Sequence, residues 1–359
     1  MAVTARNLRG RGAGLNPSGR FETEVREMAV ALHEPAAGED APPPLRTEVR
    51  EERAKTAITR NTSPDIGFDR SVNPYRGCEH GCTYCYARPM HAYVGLSAGL
   101  DFETRLFAKT NIAEVLERDL SAPGYSARTL ALGTATDPYQ PVERERRLTR
   151  AVLEVLQRTA HPVAITTKNA LVTRDIDLLA PMAAKGLAKV CISITTLDRA
   201  LARSMEPRAS TPALRLEAIR ALSDAGIPVV VMVAPIVPTL TDPEIERILE
   251  AAHAAGATEA GYVMLRLPLE VADLFKDWLV REQPDRYRRV MAIVREMQGG
   301  KDYDSRFGKR MSGDGPYAWT IGRRFELACK RLGLNQRKLR LRSDLFEPPA
   351  AQHAQLSLF

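Results

Sequence analysis

Three of the five cysteines in this chain lie within eight residues of one another. Cys78, Cys82 and Cys85 are spaced as C-x3-C-x2-C in the segment NPYRGCEHGCTYCYARP. Three thiolates can each bind one iron of a cubane cluster, and the fourth iron then has no protein ligand. Because a reactive metal centre needs an open coordination site, the spacing predicts a 4Fe–4S cluster that binds a small-molecule cofactor.

A zinc ion is the alternative occupant of the same three cysteines. His80 lies between two of them and His91 follows, so either histidine is a candidate fourth ligand. Structural zinc sites usually take their cysteines as separate C-x2–4-C pairs from two chain segments, which favours the cluster here. Only Cys191 and Cys329 remain, and five unevenly placed cysteines do not form a disulfide framework.

The elements that must position this motif are alternating strands and helices. Val- and Ile-rich runs predict strands over Thr129–Thr134, Val163–Thr167, Val190–Thr195, Val229–Ala234 and Gly261–Leu267. Amphipathic runs predict helices over Glu143–Arg158, Arg174–Lys185, Pro212–Ala225 and Pro243–Ala255. Repeated βα units imply parallel strands joined by right-handed crossovers. With a short strand around Val72, six units predict an α/β fold, a partial (β/α)6 TIM-like barrel.

Composition divides the chain into four parts. Residues 1–60 are rich in Gly, Pro, Ala and charge without periodicity, which predicts a mostly disordered tail. Residues 61–270 hold the partial barrel. Residues 271–347 are helical and basic and predict a C-terminal helical extension, and residues 348–359 predict a second flexible tail.

The overall composition is typical of a globular cytoplasmic protein. Hydrophobic residues make up 44% and charged residues 26% of the chain. No apolar run is long enough for a membrane span, and the amino terminus does not have the pattern of a secretory signal. A net charge of +7 suits a polyanionic partner, although a solvated basic surface gives the same charge.

The cysteine motif resembles the signature of the radical S-adenosylmethionine (SAM) superfamily, over roughly residues 70–270. Tyr84 occupies the aromatic position of C-x3-C-x-aromatic-C, where members pack a ring near the adenine. The resemblance implies two cofactors, a 4Fe–4S cluster and SAM. It also implies reductive cleavage of SAM to a 5′-deoxyadenosyl radical, with electrons from a reductant such as flavodoxin or ferredoxin.

Polar residues at predicted strand ends are candidates for holding SAM, because ligands gather at the carboxyl ends of parallel strands. Asp137 follows the first long strand and is expected to accept from the methionine ammonium, or else to cap a helix. Lys168 is expected to meet the carboxylate or a ribose hydroxyl. Ser193 resembles the ribose-contacting serine of relatives. Arg266, at the last strand, is expected to meet an anionic group or to pair with Glu270.

Within the superfamily, the run C-x3-C-x-Y-C-Y looks like spore photoproduct lyase and its relatives, which act on a thymine lesion in DNA. Tyr84 and Tyr86 match the two tyrosines that relay a hydrogen atom there. Thr134 stands where those enzymes have a hydrogen-donating cysteine. Because the O–H bond of a threonine is much stronger than the S–H bond of a cysteine, either another group donates (Cys191, Tyr86 or Cys329) or the substrate differs.

The last five residues are Gln355, Leu356, Ser357, Leu358 and Phe359. They resemble the peptide by which bacterial repair enzymes and polymerases dock on the DNA sliding clamp. A Gln anchor followed by a Leu/Phe pair, at the end of a Pro-rich spacer, suits an apolar groove. The alternative is an amphipathic end that folds back on the barrel.

Three hypotheses follow. The first is a radical SAM enzyme that repairs or modifies bases in DNA, as a photoproduct lyase does, brought to DNA by the clamp. The second is radical modification of RNA or of a protein side chain. The third is a non-catalytic iron–sulfur or zinc protein that binds DNA.

Overall fold

A computed structural model describes residues 10–22, 45–337 and 339–349 of the chain. Ten strands are present in these ranges: β1 (Glu48–Glu52), β2 (Ile58–Arg60), β3 (Arg70–Val72), β4 (Tyr75–Arg76), β5 (Arg105–Lys109), β6 (Leu130–Leu132), β7 (Val163–Thr167), β8 (Ala188–Ser193), β9 (Val229–Ile236) and β10 (Glu259–Met264). Seven of them form the central sheet in the order β10-β9-β8-β7-β6-β3-β2.

Six strands of this sheet run parallel, and β2 pairs antiparallel with β3 at one edge. A single row of directly paired residues crosses five strands: Val72, Leu132, Ile165, Val190 and Val229. All five are buried, as expected for a parallel sheet covered on both faces. The predicted α/β fold with parallel strands is therefore confirmed, and the pairings of the described strands leave the sheet open.

Eleven α-helices accompany the strands in the described ranges: α1 (Asp101–Thr104), α2 (Ile112–Leu120), α3 (Glu143–Arg146), α4 (Leu148–Arg158), α5 (Ile176–Ala184), α6 (Arg199–Met205), α7 (Pro212–Asp224), α8 (Ile245–Ala254), α9 (Val271–Glu282), α10 (Tyr287–Met297) and α11 (Gly315–Leu332). Short 3-10 helices cover Arg88–Val94, Ala170–Asp175, Asp242–Glu244 and Pro284–Arg286.

One predicted helix is broken in two. The sequence predicts a continuous helix over Glu143–Arg158, but Arg147 lies between α3 and α4 with a φ of 52°. This left-handed conformation cannot continue a right-handed helix. The break lets the Glu143 carboxylate accept a hydrogen bond of 3.0 Å from the backbone N–H of Thr149.

Some described residues of the predicted amino-terminal tail are ordered in strands, while the predicted extent of the tail stays a prediction. β1 pairs in parallel with β5, which also pairs with β4, and β2 joins the central sheet. Residues 11–14 are buried although the first strand in the described ranges begins only at Glu48. These residues are held in place by long-range hydrogen bonds and not by a periodic pattern of apolar side chains. One example is the bond from Arg11 to the Glu103 carbonyl at 2.8 Å. Residues 1–9 and 23–44 lie outside the described ranges.

The carboxyl-terminal helices α9 and α10 share an apolar cluster with the cysteine segment. Phe275 and Trp278 stack at 5.3 Å between ring centroids and pack in one buried cluster with Cys82 and Tyr84. Helical structure after residue 270 thus supports the site directly, and the predicted domain limits remain predictions. No helix in residues 10–22, 45–337 and 339–349 is long and apolar enough to cross a membrane.

Candidate active site

The carboxyl ends of the parallel strands border one cavity of about 260 Å3. Its lining includes the predicted cluster ligands, the two predicted relay tyrosines and the three residues predicted to hold SAM: Cys78, Cys82, Tyr84, Cys85, Tyr86, Asp137, Lys168 and Ser193. Thr134, Met232, Ala234 and Arg266 line it as well. Strand order explains this convergence, since β6 to β10 all present their carboxyl ends at the same edge of the sheet.

Residues 77–85, named the cysteine loop here, are held mainly by backbone hydrogen bonds. The Cys78 N–H donates to the Phe102 carbonyl at 2.8 Å. Thr136, which follows β6, donates its hydroxyl to the Gly77 carbonyl at 2.6 Å. Gln140 accepts from the Glu79 N–H at 2.9 Å. These bonds tie the loop to α1 and to the residues that follow β6.

Burial raises the pKa of all three thiols of the cysteine loop, and nearby Asp137 adds to the effect at Cys78. Three thiolates held together at this depth are therefore costly without a cation. Each cysteine ligand must be a thiolate to bind metal, and iron supplies the missing positive charge. The donor set thus fits a cluster, which removes the cost that burial imposes.

The two histidines proposed as a fourth zinc ligand have other partners. His80 Nδ1 lies 3.3 Å from the Asp137 carboxylate, and its Nε2 lies 3.1 Å from the Asn169 amide. His91 Nε2 lies 3.0 Å from the Arg105 carbonyl. No three His, Cys, Asp or Glu side chains within the described ranges are placed to hold a single ion. A cubane does not require such convergence, since each cysteine binds a different iron.

Asp137 joins the carboxyl ends of two strands. Its Oδ1 accepts from the Thr167 hydroxyl at 2.6 Å and from the Tyr139 N–H at 2.9 Å. Its Oδ2 accepts from the Lys168 N–H at 2.8 Å and faces His80. Burial would raise the pKa of Asp137, but His80, Thr167 and Lys168 together lower it to about 2. The carboxylate is thus ionised and engaged on both oxygens.

Lys168 and Ser193 present side chains to the same cavity from β7 and β8. The Lys168 ammonium lies 5.9 Å from the centroid of the Tyr84 ring, within cation–π distance, and donates to the Ala234 carbonyl at 3.3 Å. The Ser193 carbonyl accepts from Arg215 at 3.0 Å, which fixes the end of β8. A cation and a hydroxyl are therefore available to a polar ligand.

A buried ion pair that sequence reasoning missed holds Tyr84. The Tyr84 hydroxyl donates to Glu206, whose carboxylate pairs with the buried Arg215 guanidinium. The Thr195 hydroxyl donates to the same carboxylate at 2.6 Å. Burial would raise the pKa of Glu206, but Arg215 lowers it to about 2. No periodic signal in the sequence shows that α7 brings Arg215 to Glu206.

Tyr86 is on the exposed side of the cavity. Its side chain is 46% exposed, against 7% for Tyr84, and its hydroxyl donates to the Thr134 carbonyl at 2.6 Å. The Arg266 guanidinium lies 4.5 Å from the centroid of the Tyr86 ring. Arg266 does not pair with Glu270, which bonds to Arg20 at 2.6 Å instead.

The alternative hydrogen donors are placed differently. Cys191 and Cys329 do not line the cavity, whereas Tyr86 does. Cys329 belongs to α11 and packs in the main apolar core. Thr134 is fixed by Asn73, whose amide donates to its hydroxyl at 3.1 Å. Residues 355–359, proposed to bind the clamp, lie outside the described ranges.

Comparison with known proteins agrees with this site. Residues 72–252 match the family model of the radical SAM superfamily, and the chain belongs to that superfamily. Members use a 4Fe–4S cluster and SAM and need a reductant, so this protein is an enzyme with those two cofactors.

Relatives of similar sequence are found in distant organisms. An uncharacterised protein of Mycobacterium tuberculosis is 40% identical over 232 residues, which are 64% of this chain and 68% of that protein. An uncharacterised protein of Methanocaldococcus jannaschii is 26% identical over 248 residues, 68% of this chain and 87% of that protein.

Solved structures of similar fold include two mutants of spore photoproduct lyase. One superposes with a TM-score of 0.57 at 14% identity, covering 80% of each chain. The other, which has bound AdoMet and dinucleoside spore photoproduct, gives 0.56 with the same identity and coverage. At this identity the likeness concerns the fold.

Proposed function

We propose that this enzyme binds its cluster through Cys78, Cys82 and Cys85, cleaves SAM reductively and acts on bases in DNA, by lesion repair or base modification. The observation that carries the proposal is the convergence of the cysteine loop and the strand-end residues on one cavity. When bound, the reduced cluster supplies the electron that cleaves SAM to methionine and a 5′-deoxyadenosyl radical.

The residues of the cavity have separate roles in this proposal. Lys168 binds the methionine carboxylate or a ribose hydroxyl, and Ser193 binds the ribose. Tyr84 packs against the adenine while Glu206 holds its hydroxyl in place. Asp137 orients the Lys168 backbone and His80, and both of its carboxylate oxygens are already engaged. It therefore contributes to binding of the methionine amine mainly by positioning these two neighbouring residues.

The exposed side of the cavity is proposed to meet the substrate. Tyr86 is the hydrogen donor candidate that lines the cavity, and Arg266 lies over its ring. An Arg beside an exposed aromatic ring suits a nucleotide, because bases stack on such rings and phosphates bind the guanidinium. The fold shared with spore photoproduct lyase and the net charge of +7 also support DNA.

Anaerobic reconstitution tests the cofactor part of the proposal. The wild-type protein is expected to bind four irons and four sulfides and to form 5′-deoxyadenosine from SAM after reduction. Cys78→Ser, Cys82→Ser and Cys85→Ser should each lose the cluster, whereas Cys191→Ser should keep it. Stoichiometric zinc without sulfide in the wild-type protein would reject the proposal.

A second experiment tests the substrate. Reconstituted enzyme is incubated with SAM and reductant in deuterated solvent, with irradiated DNA, undamaged DNA, irradiated RNA or a peptide mixture. We expect a changed base only in the DNA arms, and the two DNA arms separate repair from modification. A product confined to RNA or peptide would refute a DNA substrate.

Residues 355–359 are proposed to tether the enzyme to the sliding clamp, which would raise its concentration near DNA. Recovery of purified clamp by full-length protein is compared with recovery by protein that ends at residue 354. Equal recovery from both proteins would remove the clamp from the proposal.

A further inference from the structure

We propose that residues 11–16, named the N-terminal strap, hold the cysteine loop in its folded shape and exclude water from one side of it. The strap is then a positioning element of the iron–sulfur site. This inference rests on the proposed ligand role of Cys78, Cys82 and Cys85. Four consecutive strap residues, 11–14, are buried, although the surrounding sequence is polar and rich in glycine.

The strap and the cysteine loop touch backbone to backbone. A Cβ atom added to Gly12 would lie 1.9 Å from the carbonyl oxygen of Gly81, far inside van der Waals contact. Gly81 itself has a φ of 65°, and a Cβ there would lie 2.6 Å from the Glu103 carboxylate. Both positions therefore require glycine, and the contact fixes the middle of the loop between Cys78 and Cys82.

Glu103 links the strap to a cysteine through one further residue. Its buried carboxylate accepts from the Gly12 N–H at 3.0 Å and from the Ala13 N–H at 2.8 Å. The same carboxylate pairs with buried Arg88 at 2.5 Å. Arg88 in turn donates from Nε to the Cys82 carbonyl at 2.8 Å. Loss of the strap would leave a buried carboxylate short of two donors, which is unfavourable.

Further contacts keep the strap in place. The Leu100 N–H donates to the Leu15 carbonyl at 3.2 Å. Ala13 packs with Leu100 and with Leu274 of α9 in a small apolar cluster. Arg11, also buried, donates to the Thr47 hydroxyl at 3.0 Å. The strap thus bridges the loop, the turn before α1 and the carboxyl-terminal helices.

These contacts lead to a specific expectation for the cysteines. Without the strap, the cysteine loop is expected to open locally while the central sheet stays folded, because Gly12 contacts the cysteine loop and Glu103. Opening exposes the cluster ligands, and solvent exposure is one of the factors that set the potential of an iron–sulfur cluster.

The experiment measures thiol accessibility in full-length, metal-free protein. Gly12→Ala is compared with Gly67→Ala, a matched control at which an added Cβ meets nothing within 4 Å. Iodoacetamide alkylation of each cysteine is followed by mass spectrometry. Gly12→Ala is expected to speed alkylation of Cys82 and Cys85 roughly tenfold. A decrease in the free energy of local opening that is only a fraction of the total free energy of unfolding is enough for such a change. Glu103→Gln should act in the same direction.

Cys191 and Cys329 serve as internal controls and should react at unchanged rates. Equal rates in the Gly12→Ala and Gly67→Ala proteins would overturn the proposal. A uniform increase at all five cysteines would overturn it too, because the strap would then support overall stability and have no particular role at the loop.

A spectroscopic measurement on reconstituted protein completes the test. Gly12→Ala is expected to change the electron paramagnetic resonance spectrum of the reduced cluster and to lose iron in air faster than Gly67→Ala, whereas an identical spectrum and rate would count against the strap. If the three cysteine variants kept their iron, the ligand assignment would fail while the alkylation result would still stand.

Discussion

The Tyr86 hydroxyl donates a 2.6 Å hydrogen bond to the backbone carbonyl of Thr134. This bond places a phenol directly beside Thr134, on the exposed side of the cavity. The Thr134 side chain is turned to Asn73 instead. Under the proposed function, Tyr86 is therefore the candidate to return a hydrogen atom to a substrate radical in this cavity.

Tyr86→Phe is expected to lower product formation about tenfold or more while SAM cleavage continues, because the donor is lost but the cofactor site is intact. Adding Thr134→Cys to the Tyr86→Phe variant should restore part of the product, since the S–H bond of a cysteine gives up its hydrogen atom more readily than the O–H bond of a threonine. Both are measured as the ratio of product to 5′-deoxyadenosine, with Tyr93→Phe as an exposed control. An unchanged ratio in Tyr86→Phe would exclude this residue as donor.

Lys168→Met is expected to weaken SAM binding roughly tenfold to a hundredfold, the loss that removal of a charge-assisted hydrogen bond produces. The measurement is equilibrium binding of SAM to reconstituted enzyme. Lys189→Met is the matched control, because Lys189 of β8 does not line the cavity and donates to the Leu339 carbonyl. Equal affinities of the two variants would contradict a role for Lys168.

Arg266→Met is expected to weaken binding of a DNA substrate and to reduce the slope of log affinity against log salt by about one, as loss of one phosphate contact does. Binding is measured between low and moderate salt with the same oligonucleotide. Arg323→Met, at an exposed residue paired with Glu326, should leave the slope unchanged. The same slope in Arg266→Met and wild type would show that Arg266 meets no phosphate.

Arg215→Met is expected to destabilise the fold by roughly 3–5 kcal/mol, because Glu206 is then a buried carboxylate without its counter-ion. The double variant Arg215→Met with Glu206→Gln should recover a large part of this loss, since the unpaired charge is gone. Chemical denaturation of the three metal-free proteins gives the free energies of unfolding. A double variant as unstable as Arg215→Met would contradict this explanation.

His161 predicts a pH dependence of stability away from the site. It is buried between Tyr125, 2.8 Å from its Nε2, and Phe346, and burial lowers its pKa to about 4 from 6.5. The unfolded chain therefore binds the proton at a higher pH than the native chain. The contribution of neutral His161 to the free energy of unfolding is fully present above pH 6.5 and is lost as the pH falls towards 4.

The loss between pH 7.5 and pH 5 amounts to roughly 2 kcal/mol for a shift of this size. Denaturation of wild type and His161→Gln at both pH values measures it. His161→Gln is expected to be less stable than wild type at pH 7.5 and to lose less stability on acidification. Parallel losses in both proteins would show that other groups cause the pH dependence.

Much of the site could be predicted because its signals are local in sequence. The spacing of Cys78, Cys82 and Cys85 favours a cluster over a zinc ion, and this signal lies within eight residues. Val- and Ile-rich runs predicted the parallel strands, and parallel strands bring their carboxyl ends to one edge. The sequence alone therefore predicts that Lys168 and Ser193 lie near the cysteines, and both line the same cavity.

Local sequence signals were thus enough to predict the two cofactors, the α/β class and which strand ends face the cavity. The contacts that hold the cavity appear only in the folded chain: the Glu206–Arg215 pair, the hydrogen bond from Tyr86 to Thr134, and the packing of Gly12 on Gly81. The last two contacts join residues far apart in the chain, and the ion pair joins a loop residue to a helix residue nine positions later. Such contacts leave no periodic pattern in the sequence, since they depend on where the whole chain places two groups and not on the repeat of either element.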